Sequence, residues 1–131
     1  MTDTRLEMQQ ATVARLKAQV AAVSGRVRDR VPQGDTFPFI ALAFQVIEDG
    51  AEDVDGFEII ITVHVWSRAV GYPEAAGIGS AVRAALHNWR PSLTDPAASG
   101  PLRHRDTLQR DQSDGLTTHL ILTFEAFTES I

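Results

Sequence analysis

Phe57-Glu58-Ile59-Ile60-Ile61-Thr62-Val63-His64-Val65-Trp66-Ser67-Arg68 is the stretch on which the fold turns. Phe57, Ile59, Ile61, Val63 and Val65 recur at every second position, which places them on one face of a long β-strand. Glu58, Ile60, Thr62, His64 and Trp66 take the other face, which is mixed in character. Just upstream, Phe39 to Ile47 is strongly apolar. Ile40, Leu42, Phe44 and Val46 share one face there, with the small Ala41 and Ala43 on the other, as in a strand covered by a helix on at least one side. Between the two runs lies the acidic stretch Glu48 to Asp55, bounded by Gly50 and Gly56, which reads as a hairpin loop.

Outward from this pair, residues 4 to 24 carry Leu6, Val13, Leu16, Val20 and Val23 at helical stripe spacing. Thr2 or Thr4 can cap the helix and Gly25 sits where it should stop. Arg26 to Val31 reads as a short strand ended by Pro32, Gln33-Gly34-Asp35 as a turn, and Pro38 as an extended entry into the next strand. Downstream, a second helix is predicted from Pro73 to Trp89, with Ala75, Ile78, Gly79, Val82, Leu86 and Trp89 on its buried stripe and Pro91 as its stop. Residues 91 to 101 form a loop. Leu102 to Arg110 is an Arg-rich strand and Leu116 to Phe127 the last strand, with Leu116, Leu120, Leu122, Phe124 and Ala126 on one face. The two make a hairpin. The order α-β-β-β-α-β-β predicts one α+β domain over residues 1–131. Its single, mostly antiparallel or mixed sheet of about five strands has both helices packed against it.

The chain has 131 residues, 44% of them hydrophobic and 22% charged, enough for one core. No Cys is present, which excludes disulfides and thiolate chemistry. No apolar run nears the roughly 20 residues of a membrane span, and the polar start is unlike a secretory signal, so the bacterial cytosol is the default compartment. A net charge of -5 argues against nonspecific nucleic-acid binding by the whole surface.

Catalytic readings find no constellation. Asp53, Asp55 and Gly56 match part of a calcium loop, but Ala51 and Thr62 stand where two of its carboxylates belong. His64 and His119 can face each other across neighbouring strands, beside Thr62 or Thr117, with no carboxylate near. Ser80 lies inside a helix pattern, and the glycines lack phosphate-loop spacing. No enzyme, cofactor or metal is expected. Arg103 and Arg105 read as edge-strand charges that block stray sheet pairing, as a subunit interface or, third, as a direct DNA contact. On the second reading their partners are Glu48, Asp49, Glu52, Asp53 and Asp55 of a neighbouring copy. Trp66 and Trp89 read as packing residues, and Trp66 alternatively as an interface anchor.

Several segments stand in a fixed order: Val27-Arg28-Asp29-Arg30-Val31-Pro32-Gln33, Phe37-Pro38-Phe39, His64-Val65-Trp66-Ser67-Arg68, the helix around Glu74-Ala75-Ala76 to His87, and Phe124-Glu125-Ala126-Phe127-Thr128-Glu129. Together they resemble one family, the tail terminators (tail completion proteins) of long-tailed phages and gene transfer agents. The resemblance implies a virion structural protein without catalytic residues. Such a protein is assembled in the bacterial cytoplasm as a homo-oligomeric, hexameric ring at the head-proximal end of the tail tube. The ring stops polymerisation of the major tail tube protein and joins the head–tail connector or stopper, with DNA only as passing cargo and no membrane contact. The expected channel is neutral to acidic, with Arg103 and Arg105 away from it. The rival expectation is a small dimeric α+β binding module of the cytosol that shares only the fold.

Overall fold

The computed structural model describes residues 4–28, 36–49, 56–68, 72–91, 93, 101–111 and 116–127. Helix α1, Thr4–Gln19, opens the chain and is followed by a short 3-10 turn, Ala21–Val23. Strands β1 (Val27–Arg28), β2 (Phe39–Asp49) and β3 (Gly56–Ser67) precede helix α2 (Pro73–Leu86). Strands β4 (Arg103–Asp111) and β5 (Thr118–Phe127) follow. The five strands form one sheet in the order β1-β2-β3-β5-β4. Only β1 and β2 run parallel; the other neighbours are antiparallel. The α+β reading and the element order both hold.

Register follows the apolar alternation. Val63 stands opposite Leu42 on one side and Leu122 on the other, and Ile61 stands between Phe44 and Phe124. Directly opposed residues share a face, so the apolar positions of three strands form one continuous surface. Both helices lie on it. Leu16, Val20 and Val23 from the first helical segment and Ala75, Ile78, Val82, Ala85 and Leu86 from α2 complete a single core with them. Helix α2 begins with proline in its first turn, where the missing N–H has no intrahelical role. Its approach to the sheet is set by Gly79, where an added Cβ would lie 3.0 Å from Leu120 Cδ1. A Gly79→Leu variant is therefore expected to lose roughly 1–3 kcal/mol by overpacking, read as a lower denaturant midpoint, whereas Gly79→Ala needs only a small shift of one flexible side chain.

The first helical stripe is shifted from its sequence assignment. Met8, Thr12, Leu16 and Val20 are the buried line, while Leu6 is 48% exposed and Val13 only partly buried. Thr12 is accommodated because its hydroxyl donates to the Met8 carbonyl at 2.7 Å. The segment closes through Ser24 in the left-handed region, with its N–H on the Ala21 carbonyl, and through Gly25 at φ 77.

Helix α2 ends at Leu86, before the predicted stop at Pro91. His87 is extended and Asn88 adopts φ 63, a conformation its short polar side chain tolerates. Trp89 is accordingly half-buried outside the helix and packs on the rim of the core. Leu116 precedes β5 and is 65% exposed, so the last strand's apolar face starts at Leu120. The first strand is described over Val27–Arg28, and its predicted continuation to Val31 lies outside the described residues.

Candidate assembly surfaces

The side of the sheet away from the helices is covered by no other described element. It carries Phe39, Ala41, Ala43 and Gln45 from β2, Glu58, Ile60, Thr62, His64 and Trp66 from β3, and His119, Ile121, Thr123 and Glu125 from β5. One end of this face seals itself. Trp66 stands between Phe39 and His119 in the register and lies flat on the imidazole of His119, with centroids 3.7 Å apart and planes at 12°. Phe39 stacks beyond it at 6.3 Å and Phe37 tilts against Phe39 at 5.1 Å. The Arg68 guanidinium rides 4.2 Å over the Phe37 ring while its Nε donates to Thr117 Oγ1 at 3.0 Å. Phe39 and His119 are thereby buried although no helix covers them. The indole N–H of Trp66 is buried and finds no acceptor among the described residues.

The two histidines expected to meet across strands do so: His64 Nδ1 and His119 Nε2 are 2.7 Å apart. A neutral imidazole has one donor and one acceptor nitrogen, so this contact suits two neutral rings. Burial holds the His64 ring below the usual histidine range. Burial also brings His119 down to about 4, with further contributions from His64 and from Arg110 on the adjoining strand. Near neutral pH the pair is uncharged. Among the described residues no group of three or more His, Cys, Asp or Glu side chains is placed to hold a metal ion.

The other candidate surface is the β4 edge. It is positioned by a short backbone ladder from the end of α2: Asn88 N–H donates to the Leu102 carbonyl at 2.7 Å, and Leu102 N–H to the Trp89 carbonyl at 2.8 Å. His104 N–H then donates to His87 Nδ1 at 3.0 Å. A register shift between His104 and Asp106 leaves Arg105 as the extra residue of a bulge. Asp106 and Leu108 oppose Thr123 and Ile121, and so share the uncovered face with Arg103, which opposes Glu125, whereas strict alternation from Arg103 would set them with His104 on the helix side. Arg103 and Arg105 are both exposed.

Of the carboxylates proposed to meet these arginines, Glu48 and Asp49 belong to β2 itself, because that strand runs to Asp49 and the loop starts later than expected. Glu52, Asp53 and Asp55 lie outside the described residues. Within one chain the arginines and β2 are not neighbours, since β3 and β5 intervene. The contacts that sequence reasoning missed are the Phe37–Phe39 lid on Trp66 and the bond from Ser67 Oγ to Glu74 Oε1 at 2.7 Å, which ties β3 to the first turn of α2. The motifs Phe37-Pro38-Phe39 and Trp66-Ser67-Arg68 carried both signals, but neither motif states what it will touch.

No described helix is long and apolar enough to cross a membrane. The described cavities are shallow grooves, one between α1 and β1 lined by Leu6, Val13, Lys17 and Val27 and a smaller one beside Ser80, Arg83 and His87. Residues 10–129 match the family model of the tail completion protein gp17. The chain belongs to that family. Its function is thus structural, in the tails of phage-type particles. Its fold is also similar to that of a chain in the virion of a native gene transfer agent particle, with a TM-score of 0.81 and 22% sequence identity over 98% of this chain and 100% of that one. No curated protein sequence matches it.

Proposed function

We propose that this single-domain protein is a tail terminator: several copies form a ring, hexameric in its closed form, on the head-proximal end of the tail tube. There the ring ends tube polymerisation and offers its opposite side to the head–tail connector or stopper. The observation that carries this reading is the tail completion match over residues 10–129, nearly the whole chain. The likeness to a chain of a gene transfer agent virion supports a place in the particle. The chain acts as an assembly component and performs no turnover.

A ring needs a heterologous interface, in which two different patches of one protomer meet. Arg103 and Arg105 supply one patch and Glu48, Asp49, Glu52, Asp53 and Asp55 the other, with Trp66 a separate anchor at the far end of the uncovered face. Arginines engaged by a neighbour's carboxylates are held off DNA, and a net charge of -5 suits a channel through which DNA must slide without being gripped.

Electron microscopy of particles from cells lacking this gene tests the role. The expected result is filled heads without tails beside free tails of abnormal length. Normal joined particles would reject the terminator role and favour a cytosolic binding module that shares only the fold.

A further inference from the structure

We infer that His87 is the positioning residue of the β4 surface: its imidazole latches the strand in a bulged register that decides which side chains join the uncovered face. The part of this that concerns assembly rests on the ring reading above, whereas the register stands independently of it. Strand β4 has two ways to lie on β5. An unbroken ladder from Arg103–Glu125 and His104–Phe124 would continue with Arg105 opposite Thr123, Thr107 opposite Ile121 and Leu108 opposite Leu120. The uncovered face would then carry Arg103, Arg105, Thr107 and Gln109. In the structure the ladder skips Arg105, every later residue moves by one, and Arg103, Asp106, Leu108 and Arg110 take that face instead. The unbroken register competes, because Leu108, 51% exposed here, would meet the buried Leu120 on the helix side.

Two contacts hold the skip. A bulge interrupts the ladder, and a backbone N–H beside it needs a partner elsewhere. His104 N–H finds one in His87 Nδ1 at 3.0 Å. Across the skip, His104 Nε2 meets Thr107 Oγ1 at 2.7 Å. Residues three apart point to opposite faces of a regular strand, so this second contact exists only in the bulged register.

Of the two, the His87 contact is the one anchored outside β4. The N–H of His87 donates to the Arg83 carbonyl at 2.9 Å, and Asn88 and Trp89 are tied to Leu102 by backbone hydrogen bonds at 2.7 and 2.8 Å. From α1, Arg15 Nε donates to the Ala85 carbonyl at 3.0 Å, and its guanidinium lies 5.4 Å from the centre of the Trp89 ring. The end of α2 is thus held from two sides and presents the imidazole at a set place. Nδ1 can accept only while it is unprotonated, so the neutral ring carries its proton on Nε2.

Asparagine places an acceptor oxygen as many bonds beyond Cβ as Nδ1, whereas leucine keeps bulk and offers no acceptor. The chain contains no cysteine, so introduced pairs report the register. In the purified chain, Leu108→Cys with Ile121→Cys closes in the bulged register and Thr107→Cys with Ile121→Cys in the unbroken one. Adding His87→Leu should speed closure of the Thr107–Ile121 pair roughly tenfold, the scale of leaving one backbone N–H unpaired. Adding His87→Asn should leave both pairs as they are with the native histidine. Deletion of Arg105 removes the extra residue, so in that background His87→Leu should leave Leu108–Ile121 closure intact. Unchanged closure rates in His87→Leu would overturn the latch, as would a His87→Leu chain that fails to fold even with Arg105 deleted. In particles, His87→Leu should lower the fraction with joined, normal-length tails, and His87→Asn should restore it. A shifted register with normal tails would overturn the role of His87 in assembly. If deleting the whole gene leaves particles normal, the ring reading falls instead, and the register result is untouched.

Discussion

Replacing Phe124 with alanine is expected to lower the unfolding free energy by about 3–5 kcal/mol. The ring is fully buried in the middle of β5, the strand that joins the β2–β3 hairpin to the β4 edge. It stands in register between Ile61 and His104, and the His104 imidazole meets it edge-on with centroids 5.4 Å apart. Truncation removes apolar contacts with both neighbours and leaves a cavity that a sheet held on two sides cannot close. Domains of this size hold only about 5–15 kcal/mol in total, so the variant should be partly unfolded at 37 °C. Urea unfolding followed by far-ultraviolet circular dichroism gives the test; a midpoint close to wild type would mean that Phe124 does not fill the core as described.

The second large effect is acid sensitivity centred on His64 and His119. In the unfolded chain both rings titrate near 6.5, whereas folding depresses both, His119 to about 4. Between those values the unfolded state binds more protons than the folded one. Stability from this source is therefore complete above about pH 6.5 and is lost as pH falls toward 4. The groups around the pair sharpen the effect: Arg110 faces His119 from the adjoining strand, and a second proton on the pair would place two cations 2.7 Å apart. The melting temperature is expected to fall by several degrees between pH 6.5 and 5, before most carboxylates titrate. A His119→Gln variant should flatten that slope. Imidazole carbon-bound proton shifts give the direct readout, and a His119 titration near 6.5 would contradict the buried neutral pair.

Much of the fold was legible in local pattern. The alternation in Phe57 to Val65 and in Ile40 to Val46 marks the covered face, and the α2 stripe of Ala75, Ile78, Val82 and Leu86 marks what covers it. The first helix was read less well, because Leu6 and Val13 are apolar yet Met8 and Thr12 occupy the buried line. A threonine that bonds its own helix backbone can be buried without an apolar signature. The end of α2 was misplaced for a related reason: Asn88 in the left-handed region stops the helix early, and no proline announces it. For the assembly surface, residue types were legible and their grouping was not. The bulge at Arg105 reassigns Asp106 and Leu108 to the face of Arg103, and a bulge is a property of two strands together.

The sequence by itself determined which segments become strands and helices, which face of the sheet is apolar, and the family to which the chain belongs, because those follow from residue spacing along one strand or helix. Tertiary structure alone decided that Trp66 lies flat on His119 and that Arg105 is the extra residue of the β4 bulge. These depend on hydrogen-bond register between separate strands, and a shift of one residue, which leaves each strand's own pattern intact, would move every such side chain to the other face.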